Sequence, residues 1–120
     1  MKRIILKSKV HGAIVTDINI NYEGSLTLDE KIMESANLIP FEQVHVYNIT
    51  NGERFTTYII KGEKDSGIVC VNGAAARKVS VGDKLIIASY ALIDEDKISS
   101  FQPKIVIIEG KNKIKEVKEK

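Results

Sequence analysis

The chain has 120 residues, the size of a single domain, and 43% of them are hydrophobic, enough for one compact core. A formal net charge of +2, with three Phe, four Tyr and no Trp, argues against a nucleic-acid binder, because it supplies neither a basic surface nor stacking platforms. The single Cys excludes an intrachain disulfide and a thiolate zinc cluster and fits a reducing cytosol. The apolar run Ile4-Ile5-Leu6 is too short for a signal sequence, and no stretch reaches the length of a membrane span. A soluble, cytoplasmic, single-domain protein is expected.

In chain order, the first clear element is an alternating run. Ile14, Thr16, Ile18 and Ile20 interleave with Val15, Asp17, Asn19 and Asn21, which predicts a strand leading straight into Tyr22-Glu23-Gly24-Ser25. Thr27-Leu28-Asp29-Glu30 has the form of a capping box, predicting a helix with Thr27 as N-cap. Leu28, Ile32 and Ala36 continue it at helical spacing, and Pro40 lies beyond its end. Strands are predicted over Val44–Ile49 and Arg54–Ile60, joined at Asn51-Gly52, where both residues tolerate positive φ. Further strands are expected at Ile68–Val71, Lys84–Tyr90 and Ile105–Ile108, with a helical turn at Ala74–Arg77 and a tight turn at Val81-Gly82-Asp83. The mostly charged segment from Lys111 to Lys120 reads as a frayed, flexible tail. Short strands with turn signals between them predict a mainly β fold, a small closed barrel with short helices.

The chemistry concentrates at Gly24-Ser25. A serine hydroxyl lies one short step from the preceding carbonyl carbon, and a glycine there leaves that carbonyl open and can adopt strained backbone angles. Alone the dipeptide is an ordinary turn. Its companions change its weight: Lys9-Val10-His11, Asn48 through Tyr58, Asn72-Gly73-Ala74-Ala75-Ala76, and Val81-Gly82-Asp83 with Ile86-Ile87-Ala88-Ser89-Tyr90. In this order and spacing, from Lys9 to Gly110, the chain resembles the pyruvoyl-dependent aspartate 1-decarboxylases.

That resemblance implies a six-stranded double-psi β-barrel, assembled as a homotetramer with active sites between neighbouring subunits. It implies autocatalytic cleavage at Gly24-Ser25 into residues 1–24 and 25–120, and a covalent pyruvoyl group made from Ser25 in place of pyridoxal phosphate. The implied reaction converts L-aspartate through a Schiff base to β-alanine and carbon dioxide, for pantothenate and coenzyme A synthesis. Ser25 becomes the reactive group and Tyr58 the proton donor, while Thr57 polarises the Gly24 carbonyl during processing. Lys9 and Arg54 hold the substrate carboxylates, with Thr57, Asn72, Gly73, Ala74 and Ala75 lining the pocket. A separate maturation factor is needed by some members of the family.

Plainer readings stand beside these. Lys9 is one of 18 basic side chains and alone would be solvated surface. His11 is either a buried, hydrogen-bonded histidine or a support for processing. His45 reads as structural, and Cys70, among Ile68, Val69 and Val71, as core. No cluster has metal-ligand spacing, so no metal is expected. Strict alternation sends Thr57 and Tyr58 to opposite faces of their strand, which a bulge, a backbone contact or a subunit boundary would reconcile. Two rival functions also remain: a non-catalytic module binding an anion through Lys9, Arg54 and the Asn72-Gly73 turn, and a precursor that stays inactive without its maturation partner.

Overall fold

The computed structural model describes residues 1–120. Nine strands pair in one continuous order: β1 (Lys2–Ile14), β2 (Asp17–Asn19), β3 (Ser25–Asp29), β4 (Gln43–Asn48), β5 (Arg54–Gly62), β6 (Val69–Asn72), β7 (Lys84–Asp94), β8 (Lys104–Glu109) and β9 (Lys113–Glu119). Neighbours run β2-β6-β3-β5-β4-β7-β1-β8-β9. Three contacts are parallel, β1 with β8, β2 with β6 and β3 with β5, and the remainder are antiparallel. The mainly β class holds, and pairing extends beyond the expected six strands.

The two flanks of this order are joined through the chain itself. Only Val15 and Thr16 separate β1 from β2, and their amides donate to Asp83 O and Val69 O, both at 2.9 Å. The strand that runs through one side of the sheet therefore starts the other side, curling the sheet around a single core. Val10, Leu26, Leu28, Val44, Val46, Ile59, Val69, Val71, Leu85, Ile87 and Val106 are fully enclosed there. Each such side chain contributes about 1.5–3 kcal/mol relative to exposure.

Strand β1 is missed by sequence patterning because its apolar and charged residues do not alternate cleanly. Two register shifts, between Leu6 and Ser8 and between His11 and Ala13, break the period against β7. The expected strand Ile14–Asn21 is accordingly split, with only Asp17–Asn19 pairing as a separate element. The β4–β5 hairpin matches expectation, with Gly52 at φ 79° in its turn.

The capping box is a correction. Thr27 lies in β3 and remains extended, because β3 pairs on both sides, with β5 and β6. The helix, α1, runs Glu30–Ala36, and Asp29 is its N-cap, accepting from Lys31 N at 2.8 Å. The same buried carboxylate accepts from Asp65 N and Gly67 N, so it ties α1 to the β5–β6 connection. Asn37 closes the helix in the left-handed region. The expected tail is a second correction. Residues 113–119 form β9 against β8, Ile114 packs on the core, and buried Asn112 bonds to both the amide and carbonyl of Ile14.

Candidate active site

Residues Tyr22 to Gly24 form an exposed loop that enters β3 at a fully buried Ser25. Ser25 pairs with Asn72 at the end of β6. The Asn72 amide Nδ2 donates to Ser25 Oγ at 3.0 Å and to Thr27 Oγ1 at 3.1 Å, while its Oδ1 accepts from the Cys70 thiol at 3.3 Å. Both amide protons are committed, so the Ser25 proton is directed elsewhere, towards Glu23 O at 3.4 Å. Cys70 is thus half-buried beside Asn72 instead of lying in the core, and burial, with Asp17 nearby, pushes its thiol pKa up.

Gly73, the first residue of the 3₁₀ turn Gly73–Lys78, sits against the loop before Ser25. Its φ is 69°, and a Cβ there would fall 2.6 Å from Gly24 N and Cα and 2.9 Å from Tyr22 O. Glycine is required at this point twice over, by backbone angle and by space. Gly24 itself is not among the positive-φ glycines, and a Cβ on it would touch nothing within 4 Å. The strain anticipated at Gly24 is therefore absent, and the side of its Cα where a side chain would stand is open. Ala74 is exposed and Ala75 half-buried against the core. Gly73→Ala should fold with stability lowered by about 1–3 kcal/mol and leave the Gly24–Ser25 bond largely uncut, read as intact mass over a time course. A variant cut at the wild-type rate would show that the Gly73–Gly24 approach does not matter.

The register of β3 on β5, Leu26 beside Ile59, carries the start of β3 alongside Thr57 and Tyr58. The β4–β5 ladder has no register shift, so alternation on β5 is unbroken. Thr57 lies opposite buried Val44, whereas Tyr58 lies opposite Gln43 and Arg54 opposite Tyr47 on the other face. The bulge considered as a reconciliation of Thr57 with Tyr58 does not exist.

A second group forms further along the same outer face. The Arg54 guanidinium stacks 4.4 Å from the centre of the Tyr47 ring. Tyr47 and Tyr90 share a hydroxyl hydrogen bond of 2.9 Å, and His45 meets Tyr90 edge-on at 5.2 Å. Lys9 lines a hollow of about 180 Å³ with Leu6, Tyr47, Ile86, Ala88 and Tyr90. The hydrogen bond from Tyr47, aided by burial, raises the Tyr90 pKa. His11, half-buried on β1, is pushed below its ordinary pKa by burial and by the Lys9 and Lys84 cations. Tyr47, Tyr90 and His45 were not singled out as site residues by sequence; only their cross-strand registers place them beside Arg54 and Lys9. No group of three His, Cys, Asp or Glu side chains is placed to hold a metal ion.

One chain therefore carries two clusters. Arg54 stands four strand residues from Tyr58, about 13 Å along β5. In the pairing order β5, β4 and β7 separate β3 from β1, which bears Lys9 and His11.

The family model for aspartate decarboxylase matches residues 1–115, and the chain belongs to that family. It is 51% identical over 115 residues to an aspartate 1-decarboxylase of Syntrophus aciditrophicus, covering 96% of this chain and 99% of that one. An aspartate 1-decarboxylase of Thermoanaerobacter pseudethanolicus is 51% identical over 113 residues, covering 94% and 97%. One from Wolinella succinogenes is 50% identical over 118 residues, covering 98% of each chain.

Proposed function

We propose that this chain is a decarboxylase that converts L-aspartate to β-alanine and carbon dioxide after cutting itself between Gly24 and Ser25, and that its product feeds pantothenate synthesis. The observation that carries the reading is Ser25, sealed at the head of β3 directly after the exposed Gly24, with its Oγ held by Asn72. Ser25 Oγ attacks that carbonyl, and the acyl group moves from nitrogen to oxygen as an ester. Loss of the Ser25 α-proton expels the Gly24 carboxylate, and water replaces the resulting amino group as ammonia, leaving a pyruvoyl group at residue 25. A donor towards the Gly24 oxyanion is assigned to Thr57, whose side chain faces inward, so its access runs along the backbone side of β3 or across a subunit boundary. Such a donor contributes about 3–4 kcal/mol.

The residues present fit that group. Ser25 is fully buried with its Oγ on the Asn72 amide, a donor suited to the oxygen of a small carbonyl group at that position. The ketone supplies an electron sink for the electrons left by the departing carboxylate. Tyr58, at the register of Ser25, gives a proton to the resulting carbon. Asn72 and the turn from Gly73 to Ala75 enclose the site. Arg54 offers a planar fork matched to a carboxylate, and Lys9 adds a second cation. His11, its pKa lowered by burial and by the Lys9 and Lys84 cations, supports processing in this reading.

On one chain, three strands stand between β3, which bears Ser25, and β1, which bears Lys9. A homotetramer in which Lys9 and Arg54 of one copy face Ser25 and Tyr58 of another completes the site. Exposed Ile4, Ile18, Ile20, Val81 and Leu92 supply apolar surface for such contacts. One preparation tests the reading. Its denatured mass should resolve residues 1–24 and 25–120, light scattering should give about four chain pairs, and L-aspartate should yield β-alanine. An uncut monomer that binds carboxylates without turning them over, with or without a maturation partner, would instead make it a binding module.

A further inference from the structure

The segment between α1 and β4 holds Phe41 in an unusual state. Its φ is 71°, in the left-handed region that bulky side chains avoid, yet the residue is 77% exposed. Neither local preference nor burial accounts for it. Asn37, the other positive-φ residue of the segment, is an ordinary helix cap by comparison.

The surrounding hydrogen bonds impose the conformation. Phe41 N donates to Ile59 O at 2.7 Å, and Ile59 N donates to Glu42 O at 3.1 Å, so both backbone groups of Ile59, next to Tyr58, are engaged. The Glu42 carboxylate accepts from Ile39 N at 3.2 Å, Lys7 Nζ at 3.0 Å and the Ser89 hydroxyl. Lys7 also donates to the Asn37 carbonyl, and Ser8 Oγ donates to Ala36 O at 2.5 Å. Lys7 and Ser8 reach the segment from the first register shift of β1, and Ser89 from β7. Pinned at these points, the segment turns the Phe41 ring onto Tyr58, with centroids 6.3 Å apart and planes inclined by 35°.

We propose that Phe41 is a positioning residue for Tyr58, its ring limiting the phenol to the orientation that points at residue 25, with Glu42 as the anchor of the clamp. The inference rests on the assignment of Tyr58 as proton donor. Phe41→Gly tests it, because glycine accepts the positive φ and removes only the ring. The variant should fold at least as stably as wild type, cut itself normally and keep its assembly state. Its kcat should fall about 10–100-fold with KM unchanged, the scale of a misplaced reacting group. Phe41→Tyr keeps the ring and should restore kcat. Glu42→Gln should show a smaller fall in kcat and faster hydrogen exchange at the Phe41 and Ile59 amides.

Tyr58→Phe, measured in parallel, separates the two layers. Normal turnover in Tyr58→Phe would overturn the proton-donor assignment itself. A slow Tyr58→Phe with a fully active Phe41→Gly would overturn only the positioning role. Loss of self-cleavage or of assembly in Phe41→Gly would assign the ring to maturation or to subunit contact and equally overturn it.

Discussion

Ser25→Ala should give a chain of 120 residues that stays whole and makes no β-alanine. The substitution removes one oxygen from a fully buried position and adds no volume. Its structural cost is one lost acceptor for Asn72 Nδ2, which retains Thr27 Oγ1 as a partner for its other proton. A loss of about 1 kcal/mol is expected from a hydrogen bond of this kind, small against the stability of a domain with this core. The chemical cost is complete, since Ser25 Oγ is the proposed nucleophile and Ser25 the residue that becomes the ketone, so neither cut nor ketone can form. Intact mass and a product assay on the folded variant check both halves. A Ser25→Ala chain that still divides after residue 24 would place the cleavage outside the mechanism argued here.

Tyr58→Phe should separate the two reactions. Self-cleavage needs the Ser25 hydroxyl and a donor at the Gly24 oxyanion, and neither is the Tyr58 phenol. Decarboxylation leaves a carbanion-like centre that must gain a proton, and a phenol carries one at neutral pH. Phenylalanine keeps the ring and its contact with Phe41 and deletes only the oxygen. The variant should fold, divide and assemble, while kcat falls about 10²–10⁴-fold, the usual contribution of a general acid. Near-normal turnover by a divided Tyr58→Phe protein would transfer the proton to another group.

The strands that were legible in the sequence are those built on β-branched alternation with a turn signal beside them. Val44–Ile49 and Arg54–Ile60 around Asn51-Gly52 are the clearest case, and the structure departs from them by a residue or two. Local signals failed where long-range pairing outweighed them. Thr27 has the local chemistry of an N-cap, but pairing on two sides holds it extended and moves the cap to Asp29. Residues 113–119 look like a solvated tail because five of the seven are charged and exposed, and only Ile114 and the Asn112 turn reveal what lies beneath. For the site, the Gly24-Ser25 pair and its family companions were legible as candidates. Their neighbours were not. Tyr47 and Tyr90 are 43 positions apart and meet only because β4 and β7 pair, and no pattern announces the backbone of Phe41.

The position of β1 has a consequence for the order of events in the life of the molecule. This strand is held by β7 on one side and β8 on the other, and β2 continues it onto β6. A cut after residue 24 leaves all of those pairings in place but removes the covalent link that brought them together. Before the cut, residues 1–24 find their groove as part of one chain, at the high local concentration a tether provides. Afterwards the same step is an encounter between separate molecules and weakens with dilution. Under the proposed cleavage, the precursor therefore encodes a folding route that the divided protein would no longer possess. A divided copy, once unfolded, has lost the connection through which it first reached its structure.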